Sequence, residues 1–360
     1  AVASMSYMFN WATAFNQNIS SWNLSADLNM TDMFRSTTDL SNANKGKIHK
    51  AFSSNPNWTT DWSEFVIYEP ITDANFQDAV NLWFSNQADA NATYGHIRDW
   101  NVSAVTDMSN AFQDRATFNE DISGWDMSKV NNASRMFYGA SSFNQPIGNW
   151  NLSSATIIWG LIEEASSFNQ PIEDWNVSAV TSIANMFKGA SSFNQPIGVW
   201  DISNIITLTN LFNGAAAFNQ PIGDWNVSSV TNMGRMFREA STFNMPIGEW
   251  NVSSVTSMNN MFAKATVFDQ PLGDWNVSAV NSMAGMFFKA ATFNQPIGEW
   301  NVSAVNNMSN MFNGAYAFNQ PIGDWDVSAV TSMSGMFRGS TAFNQPIGEW
   351  NVSAVNNMSN

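Results

Sequence analysis

Tryptophan recurs at every twenty-fifth position through most of this 360-residue chain. One repeat reads W-N-V-S-A-V-T-x-M-x-x-M-F-x-x-A-x-x-F-N-Q-P-I-G-[DE], and the phrase FNQPIGEWNVSAVNNMSN occurs identically at 293–310 and 343–360. A fixed period of this length indicates a solenoid, in which each repeat packs on its neighbours. The repeating Trp residues are Trp100, Trp125, Trp150, Trp175, Trp200, Trp225, Trp250, Trp275, Trp300, Trp325 and Trp350.

The apolar spacing divides each repeat into two halves. Val305, Met308 and Phe312 fall on one face of a helix, and Ser303 stands where a helix N-cap would, which we favour over a nucleophile. The other half, FNQPIGEW, contains Pro and Gly and is typical of a short extended segment with a bend. The sequence therefore predicts an α/β repeat solenoid of the leucine-rich-repeat kind. It would have one extended segment plus one helix per repeat, stacked parallel, with helical caps.

The period breaks between residues 43 and 96, and two helices are predicted there. Ser41 would cap a closing helix that buries Ile48, Ala51 and Phe52 and ends before Pro56. A second helix would have Thr72 or Asp73 as its N-cap and bury its apolar face, formed by Phe76, Ala79, Val80 and Trp83. The predicted domains are the end of a first array with its closing helix at 1–58, a linker at 59–70, an N-terminal cap at 71–99 and a second array at 100–360.

The repeat resembles that of a known family of surface proteins. The phrase WNVSAVTSMSGMFRGSTAFNQPIG is similar to the 25- to 26-residue repeat of BspA-like leucine-rich-repeat surface proteins, over residues 1–42 and 97–360. The cap phrases LSNANKGKIHKAFSSNPNW and TDANFQDAVNLWFSNQADANATYGHI resemble the segments that flank those repeats. The resemblance implies a leucine-rich-repeat fold and an extracellular or cell-surface location, and it supplies no catalytic residues.

The recurring apolar and amide residues have structural interpretations. Met exchanges with Ile183 and Leu208 in its repeat position, which indicates core rather than a soft-metal site. The Trp residues are interpreted as packing with a satisfied indole N–H, and a sugar-stacking platform is the alternative if they are exposed. The Asn and Gln of each FNQ phrase are expected to form amide ladders along the array.

The Asn after Trp creates an Asn-x-Ser glycosylation sequon in eight repeats. Asp126, Asp201 and Asp326 take its place in the other repeats, and what Asn and Asp share is a side-chain oxygen that closes turns. We therefore favour a structural role for this position, and expect Asn57 and Asn91, which lie outside the repeat register, to be freer to carry glycans. The less favoured candidates are Asn101, Asn151, Asn176, Asn226, Asn251, Asn276 and Asn301.

An acidic residue precedes Trp in six successive repeats. Like charges at strand spacing repel by about 1 kcal/mol per contact in water. Ca²⁺ could bridge neighbouring carboxylates, whereas the alternative is a solvated stripe screened by salt. We call this set the acidic column, and it comprises Asp224, Glu249, Asp274, Glu299, Asp324 and Glu349.

Composition excludes several classes of function. The net charge is −15 and no Lys/Arg cluster is interleaved with aromatics, so nucleic acid is a poor partner. No apolar stretch reaches the length of a membrane span, and the chain has no Cys for disulfides or thiolate chemistry. His49 and His96 lie in or beside the cap segments with no catalytic spacing, so we expect no enzyme activity and no cofactor apart from the Ca²⁺ alternative.

Two classes of function remain. The first is an extracellular structural protein whose arrays associate end to end or laterally into a fibre, sheath or coat, because repeated identical contacts generate open assemblies. The second is a surface adhesin that presents a repetitive face to glycans or proteins. Because the repeat pattern is interrupted at both termini, we expect either a longer parent protein of several arrays or a subunit whose ends are covered by further copies.

Overall fold

The computed structural model describes residues 2–359, and the chain divides into two compact units. One unit comprises Ala1–Ile71 with Asn81–Trp100, and the other comprises Thr72–Val80 with Asn101–Asn360. Each unit has its own core.

The first unit contains the predicted closing helix. Helix α1 spans Asn42–Phe52, and the hydroxyl of Ser41 caps it by accepting a hydrogen bond from the Asn44 amide at 3.3 Å. Ile48 and Phe52 are buried in a core with residues of the preceding repeats, whereas Ala51 is exposed, contrary to the prediction. Ala51 lies one position before Phe52, so the helical turn directs its side chain away from the core.

Two further α-helices and two short 3₁₀ helices follow along the chain. Helix α2 spans Phe76–Ser85, begins one turn later than predicted, and buries all four residues of the predicted apolar face. Helix α3 spans Gln87–Tyr94 and was not predicted. Its N-cap is Asn86, whose side chain accepts the amide hydrogen of Asp89. The 3₁₀ helices span Ser63–Phe65 and Ile97–Asp99.

The repeats of the second unit form stacked coils, each running from one Trp to the next, and residues are numbered here by their offset from the Trp that opens the coil. The offsets of the core residues are the same from coil to coil, so one coil illustrates them. In the coil that opens at Trp250, the fully buried side chains are Val252, Val255, Met258, Met261, Phe262, Ala263, Ala265, Phe268 and Leu272.

The prediction of one helix per repeat is wrong, since α1, α2 and α3 are the only α-helices within residues 2–359 and all precede the stacked coils. In every complete coil the residues at offsets +10 and +14 have positive φ, as at Asn260 (54°) and Lys264 (61°). A left-handed residue interrupts an α-helix, and two of them four positions apart permit only single turns. Ala263 accordingly donates to the Asn260 carbonyl three positions back.

Hydrogen bonds between coils replace the bonds of the predicted helix. The amides of Met258, Asn260, Phe262 and Lys264 each donate to a carbonyl of the next coil, at 3.1, 2.8, 2.9 and 2.6 Å. The intervening amides of Met261 and Ala263 donate to the carbonyls three positions back, so these backbone groups are satisfied without a helix. The apolar spacing that indicated a helix is produced by these consecutive turns. The accepting carbonyls are those of Ser282, Ala284, Met286 and Phe288.

Parallel pairing occurs in the half of the repeat that was predicted to be helical. Isolated parallel bridges join equivalent residues of successive coils at offset +7, such as Ser257 to Ser282 and Ser282 to Asn307. No extended strand is present within residues 2–359, and the FNQPIGEW segment, which was predicted to be extended, forms turns and irregular backbone. Pro and Gly in that segment deprive it of regular strand pairing.

Candidate functional site

The repeating Trp residues lie in the core and are not a surface platform. From Trp100 to Trp325 they are 2–4% exposed, and Trp350 is half-buried. From Trp150 onward each indole N–H donates to the carbonyl of an Ile or Leu in an earlier coil, as Trp225 does to Ile197 at 3.1 Å. A buried and hydrogen-bonded indole cannot offer its face to a sugar, so these rings contribute packing.

Two walls of each coil face each other across the core. Phe262, at offset +12, meets Trp275 with 6.4 Å between the ring centroids, and Phe262 also stacks on Phe287 of the next coil at 5.7 Å. Phe262 and Trp275 are both buried and lie thirteen positions apart, about half of a 25-residue coil, so we infer that the backbone beside Phe262 and the backbone beside Trp275 form opposite walls. Polar residues adjacent to them in sequence therefore lie on two separate edges of the array.

The edge beside Trp carries the Asn residues of the sequons. The Oδ1 of Asn301 accepts hydrogen bonds from the Ser303 amide at 3.2 Å and the Ser303 hydroxyl at 2.7 Å. The prediction that this Ser caps a helix is therefore wrong, because no helix follows and the Ser closes an Asx turn instead. Where Asp replaces Asn, hydrogen bonds from the hydroxyl and the amide of Ser203 lower the pKa of Asp201.

The sequon residues differ in their surroundings. The seven candidates within the repeats, from Asn101 to Asn301, are exposed and use Oδ1 in the turn. Asn57 is also exposed, but its Nδ2, the atom that would carry a glycan, donates to the Ala26 carbonyl at 3.0 Å. Asn91 lies within helix α3 and is half-buried, with an Oδ1 that is buried without a hydrogen-bond partner.

The acidic column lies on the same edge as the sequons. Each of its six carboxylates occupies offset −1, and all six residues are exposed. Within residues 2–359 no group of three or more His, Cys, Asp or Glu residues is arranged to hold a metal ion. Including the remaining acids at offsets −1 and +1 of the second unit, this acidic edge has ten carboxylates and no Lys or Arg. The four added residues are Asp126, Asp174, Asp201 and Asp326.

The opposite edge carries most of the basic residues of the coils, which the sequence analysis did not identify. We call offsets +10 to +14 of the second unit the basic edge. Its seven basic residues outnumber its four acids, Asp114, Glu163, Glu164 and Glu239. The sequence signal that could have identified this edge is the recurrence of Lys and Arg about half a repeat away from the acidic column. The bases are Arg135, Lys188, Arg235, Arg238, Lys264, Lys289 and Arg338.

Some of these bases are neutralised by neighbouring coils. Lys264 lies 2.7 Å from Glu239 of the preceding coil, and this hydrogen bond lowers the pKa of Glu239, with the charge of Arg238 contributing less. Lys188 lies 2.8 Å from Glu163, whose side chain is 3% exposed, and the hydrogen bond raises the pKa of Lys188. Arg235, Lys289 and Arg338 are exposed.

A shallow polar groove lies near this edge. It has a volume of about 200 Å³ and is bounded by side chains of three successive coils, with Gly234 between them. Hydroxyl, amide and guanidinium groups are the donors and acceptors that recognise polar ligands. Its lining residues are Thr209, Asn232, Gly234, Arg235, Ser257 and Asn259.

The remaining titratable candidates have local roles. His49 in the first unit accepts hydrogen bonds at Nδ1 from the Trp58 indole at 3.1 Å and the Trp62 amide at 3.2 Å. His96 accepts the amide hydrogen of Arg98 at 3.3 Å. None of the helices in the described part of the chain has the length and apolar character needed to cross a membrane.

Together these features define a tandem-repeat protein of stacked 25-residue coils with oppositely charged edges. The chain belongs to the family described as Mycoplasma protein of unknown function, DUF285, whose model matches residues 1–63, 79–198, 181–295 and 268–360. The resemblance in sequence thus identified a known repeat family, and the BspA-like designation stays a prediction.

Solved structures that are similar to this chain include the following two. One is a leucine-rich cell surface protein from Faecalibacterium prausnitzii A2-165, at 14% identity over 68% of this chain and 77% of that one, with a TM-score of 0.34. The other is the TLR13 complex with ssRNA13, at 10% identity over 86% of this chain and 48% of that one, with a TM-score of 0.27. No curated protein matches the chain.

Proposed function

We propose that this protein is an extracellular structural repeat protein that forms a scaffold, and that it acts by self-association and without catalysis or cofactor. The observation that supports this is the constancy of the coil surface. An exposed Asn or Asp follows the Trp in every repeat from Trp100 to Trp350, so a contact made there by one coil with another molecule can be repeated along the array. Summed over many coils, weak contacts give a stable assembly.

Assembly of the purified protein tests this proposal. We expect scattering and negative-stain electron microscopy to show fibres or sheets whose formation depends on protein concentration. The control is the same protein with the proposed contacts neutralised, as designed below. A monodisperse monomer across the whole accessible range of concentration and salt would contradict the scaffold.

A second candidate function is a cell-surface adhesin that binds glycans or proteins. The polar groove beside Arg235 favours it, because that guanidinium lies among hydroxyl and amide groups. A glycan array probed with the wild-type protein and with Arg235→Ala tests this candidate. Binding that requires Arg235 would support it, whereas equal signals from both proteins would place any binding elsewhere.

A further inference from the structure

We propose that the arrays associate side by side, with the basic edge of one molecule docked on the acidic edge of a second copy. This inference deepens the proposed scaffold function and rests on it. The two edges belong to opposite walls, because Phe262 beside one edge meets Trp275 beside the other across the core. A molecule with complementary charges on opposite edges can bind one copy on each side, and such contacts extend into a sheet.

The spacing of the charges supports a second copy as the partner. Both edges are built from the same coils, so their charges repeat with the same rise along the array. Arg235, Lys289 and Arg338 lie in every second coil, whereas the acidic column has a carboxylate in each of six successive coils. When two arrays align, a match at one of these bases therefore places the other two near a carboxylate. A partner with a different repeat would match at only a few positions.

Three bases are available for such contacts. Arg235, Lys289 and Arg338 are exposed, and none of them forms an ion pair within residues 2–359. The carboxylates of Glu249, Asp274 and Glu299 are exposed on the other edge and likewise form no ion pair within those residues. Lys264 and Arg238 are already engaged with Glu239, and are expected to contribute less.

The net charge of −15 opposes association, and salt determines which effect is larger. At physiological ionic strength charges separated by more than about 8 Å are screened, whereas ion pairs in contact keep part of their attraction. We therefore expect association to be strongest at intermediate ionic strength. It should weaken at about 1 M salt, where the screening length falls to about 3 Å.

Charge reversal of each edge separately tests the pairing. The first variant carries Glu249→Lys, Asp274→Lys and Glu299→Lys, and the second carries Arg235→Glu, Lys289→Glu and Arg338→Glu. Each variant alone should associate at least about tenfold more weakly than wild type, because one tenfold step corresponds to only a few exposed ion pairs. An equimolar mixture should recover association, since the three Lys residues introduced on the acidic edge of the first variant can pair with the three Glu residues introduced on the basic edge of the second.

A matched control separates edge contacts from net charge. The control triple carries Glu64→Gln, Asp78→Asn and Glu120→Gln, and it removes three charges outside both edges. The edge triple carries Glu249→Gln, Asp274→Asn and Glu299→Gln, and it removes three charges within the acidic edge. Sedimentation velocity should show weaker association only for the edge triple. Circular dichroism and thermal melting verify that each variant is folded.

The outcomes distinguish this inference from the scaffold proposal. If the wild-type protein assembles and the charge-reversed variants assemble equally well, the edges are not the contact and the scaffold proposal stands. If the wild type does not assemble under any condition, both proposals fail. If neither charge-reversed variant assembles by itself but their equimolar mixture does, the pairing of opposite edges is established.

Discussion

At the scale of single residues, the Asn that begins each FNQ phrase joins one coil to the next. The Oδ1 of Asn219 accepts the backbone amide hydrogen of Asn244 at 2.9 Å, and Asn219 donates its own amide to Asn194. Two coils after Asn219, Asp269 takes the same place, and its Oδ1 accepts the amide hydrogen of Asn294 at 2.9 Å. The shared requirement is an oxygen acceptor, and this explains why Asp is tolerated at a position where Asn predominates.

Replacing Asn219 with Ala should lower the free energy of unfolding by about 1–3 kcal/mol, because the partly buried amide of Asn244 loses its acceptor. Asn219→Asp keeps the acceptor and serves as the control, with a much smaller expected effect. Denaturant titration followed by Trp fluorescence measures both variants. Equal losses for Ala and Asp would show that the acceptor is not what stabilises this position.

The buried Trp residues provide a second prediction at this scale. Trp225→Ala should destabilise the protein by about 3–5 kcal/mol through loss of packing and formation of a cavity. Trp225→Phe keeps an aromatic ring and loses the hydrogen bond to the Ile197 carbonyl, so its effect should be smaller. Equilibrium unfolding in urea measures both. A loss below about 0.5 kcal/mol for Ala would be inconsistent with a buried ring.

At the scale of the coil, the left-handed residues decide the conformation. Offset +14 takes Gly in half of the complete coils and Asp, Glu or Lys in the others, all with positive φ. Gly has no steric penalty there, whereas other residues cost about 1–2 kcal/mol unless their contacts offset it. Lys264 and Glu239 occupy such positions and bond to each other across coils, which is one such compensation.

Gly214 tests the backbone requirement without a steric clash. Its φ is 77°, and a Cβ added there would meet only Gly189 at 3.6 Å, an ordinary contact. Gly214→Ala should therefore destabilise by about 1 kcal/mol through backbone strain alone. Thermal melting measures the loss, and Gly214→Asn should lose less because Asn tolerates this region. An Ala variant as stable as wild type would contradict the left-handed conformation.

The ion pair between Glu239 and Lys264 predicts a dependence of stability on pH. The hydrogen bond from Lys264 lowers the pKa of Glu239 in the folded state, so the unfolded state binds the proton more readily. The ion pair therefore stabilises the folded state fully above the pKa that Glu239 has in the unfolded state, and this contribution is lost as the pH falls through the pKa of Glu239 in the folded state. Between pH 6 and pH 3 the melting temperature should decline less in Glu239→Gln than in wild type. Parallel declines in the two proteins would show that this ion pair does not cause the pH dependence.

At the scale of the whole molecule, the acidic column concentrates like charges along one edge. A cation that bridged two neighbouring carboxylates would receive at most four oxygens from them, fewer than the six to eight that Ca²⁺ takes. We therefore expect screening by dissolved salt to relieve the repulsion along this edge. The bridging alternative predicts a specific requirement for divalent ions.

We expect the melting temperature to rise with ionic strength and to be equal in NaCl and CaCl₂ at matched ionic strength, because screening does not distinguish the ions. A chelator should then have no effect. Replacing Glu249, Asp274 and Glu299 with Gln, Asn and Gln should reduce the response to both salts. A drop in melting temperature with chelator, restored by Ca²⁺ and absent in this triple variant, would establish cation bridging instead.

The amino-acid sequence by itself determined the 25-residue period, the core positions and the helix capped by Ser41, because these depend on apolar spacing and on local capping chemistry. It did not determine the backbone of the coil. Consecutive turns and a helix bury apolar residues at nearly the same spacing, so apolar spacing does not distinguish the two conformations. They differ in the hydrogen bonds of backbone amides: the Phe262 amide would donate within its own coil in a helix, but it donates to the Met286 carbonyl of the next coil. That choice depends on a neighbour in another coil, which local sequence does not specify. The separation of the acidic and basic edges was decided in the same way, since offsets half a repeat apart become opposite walls only when the coil closes around its core.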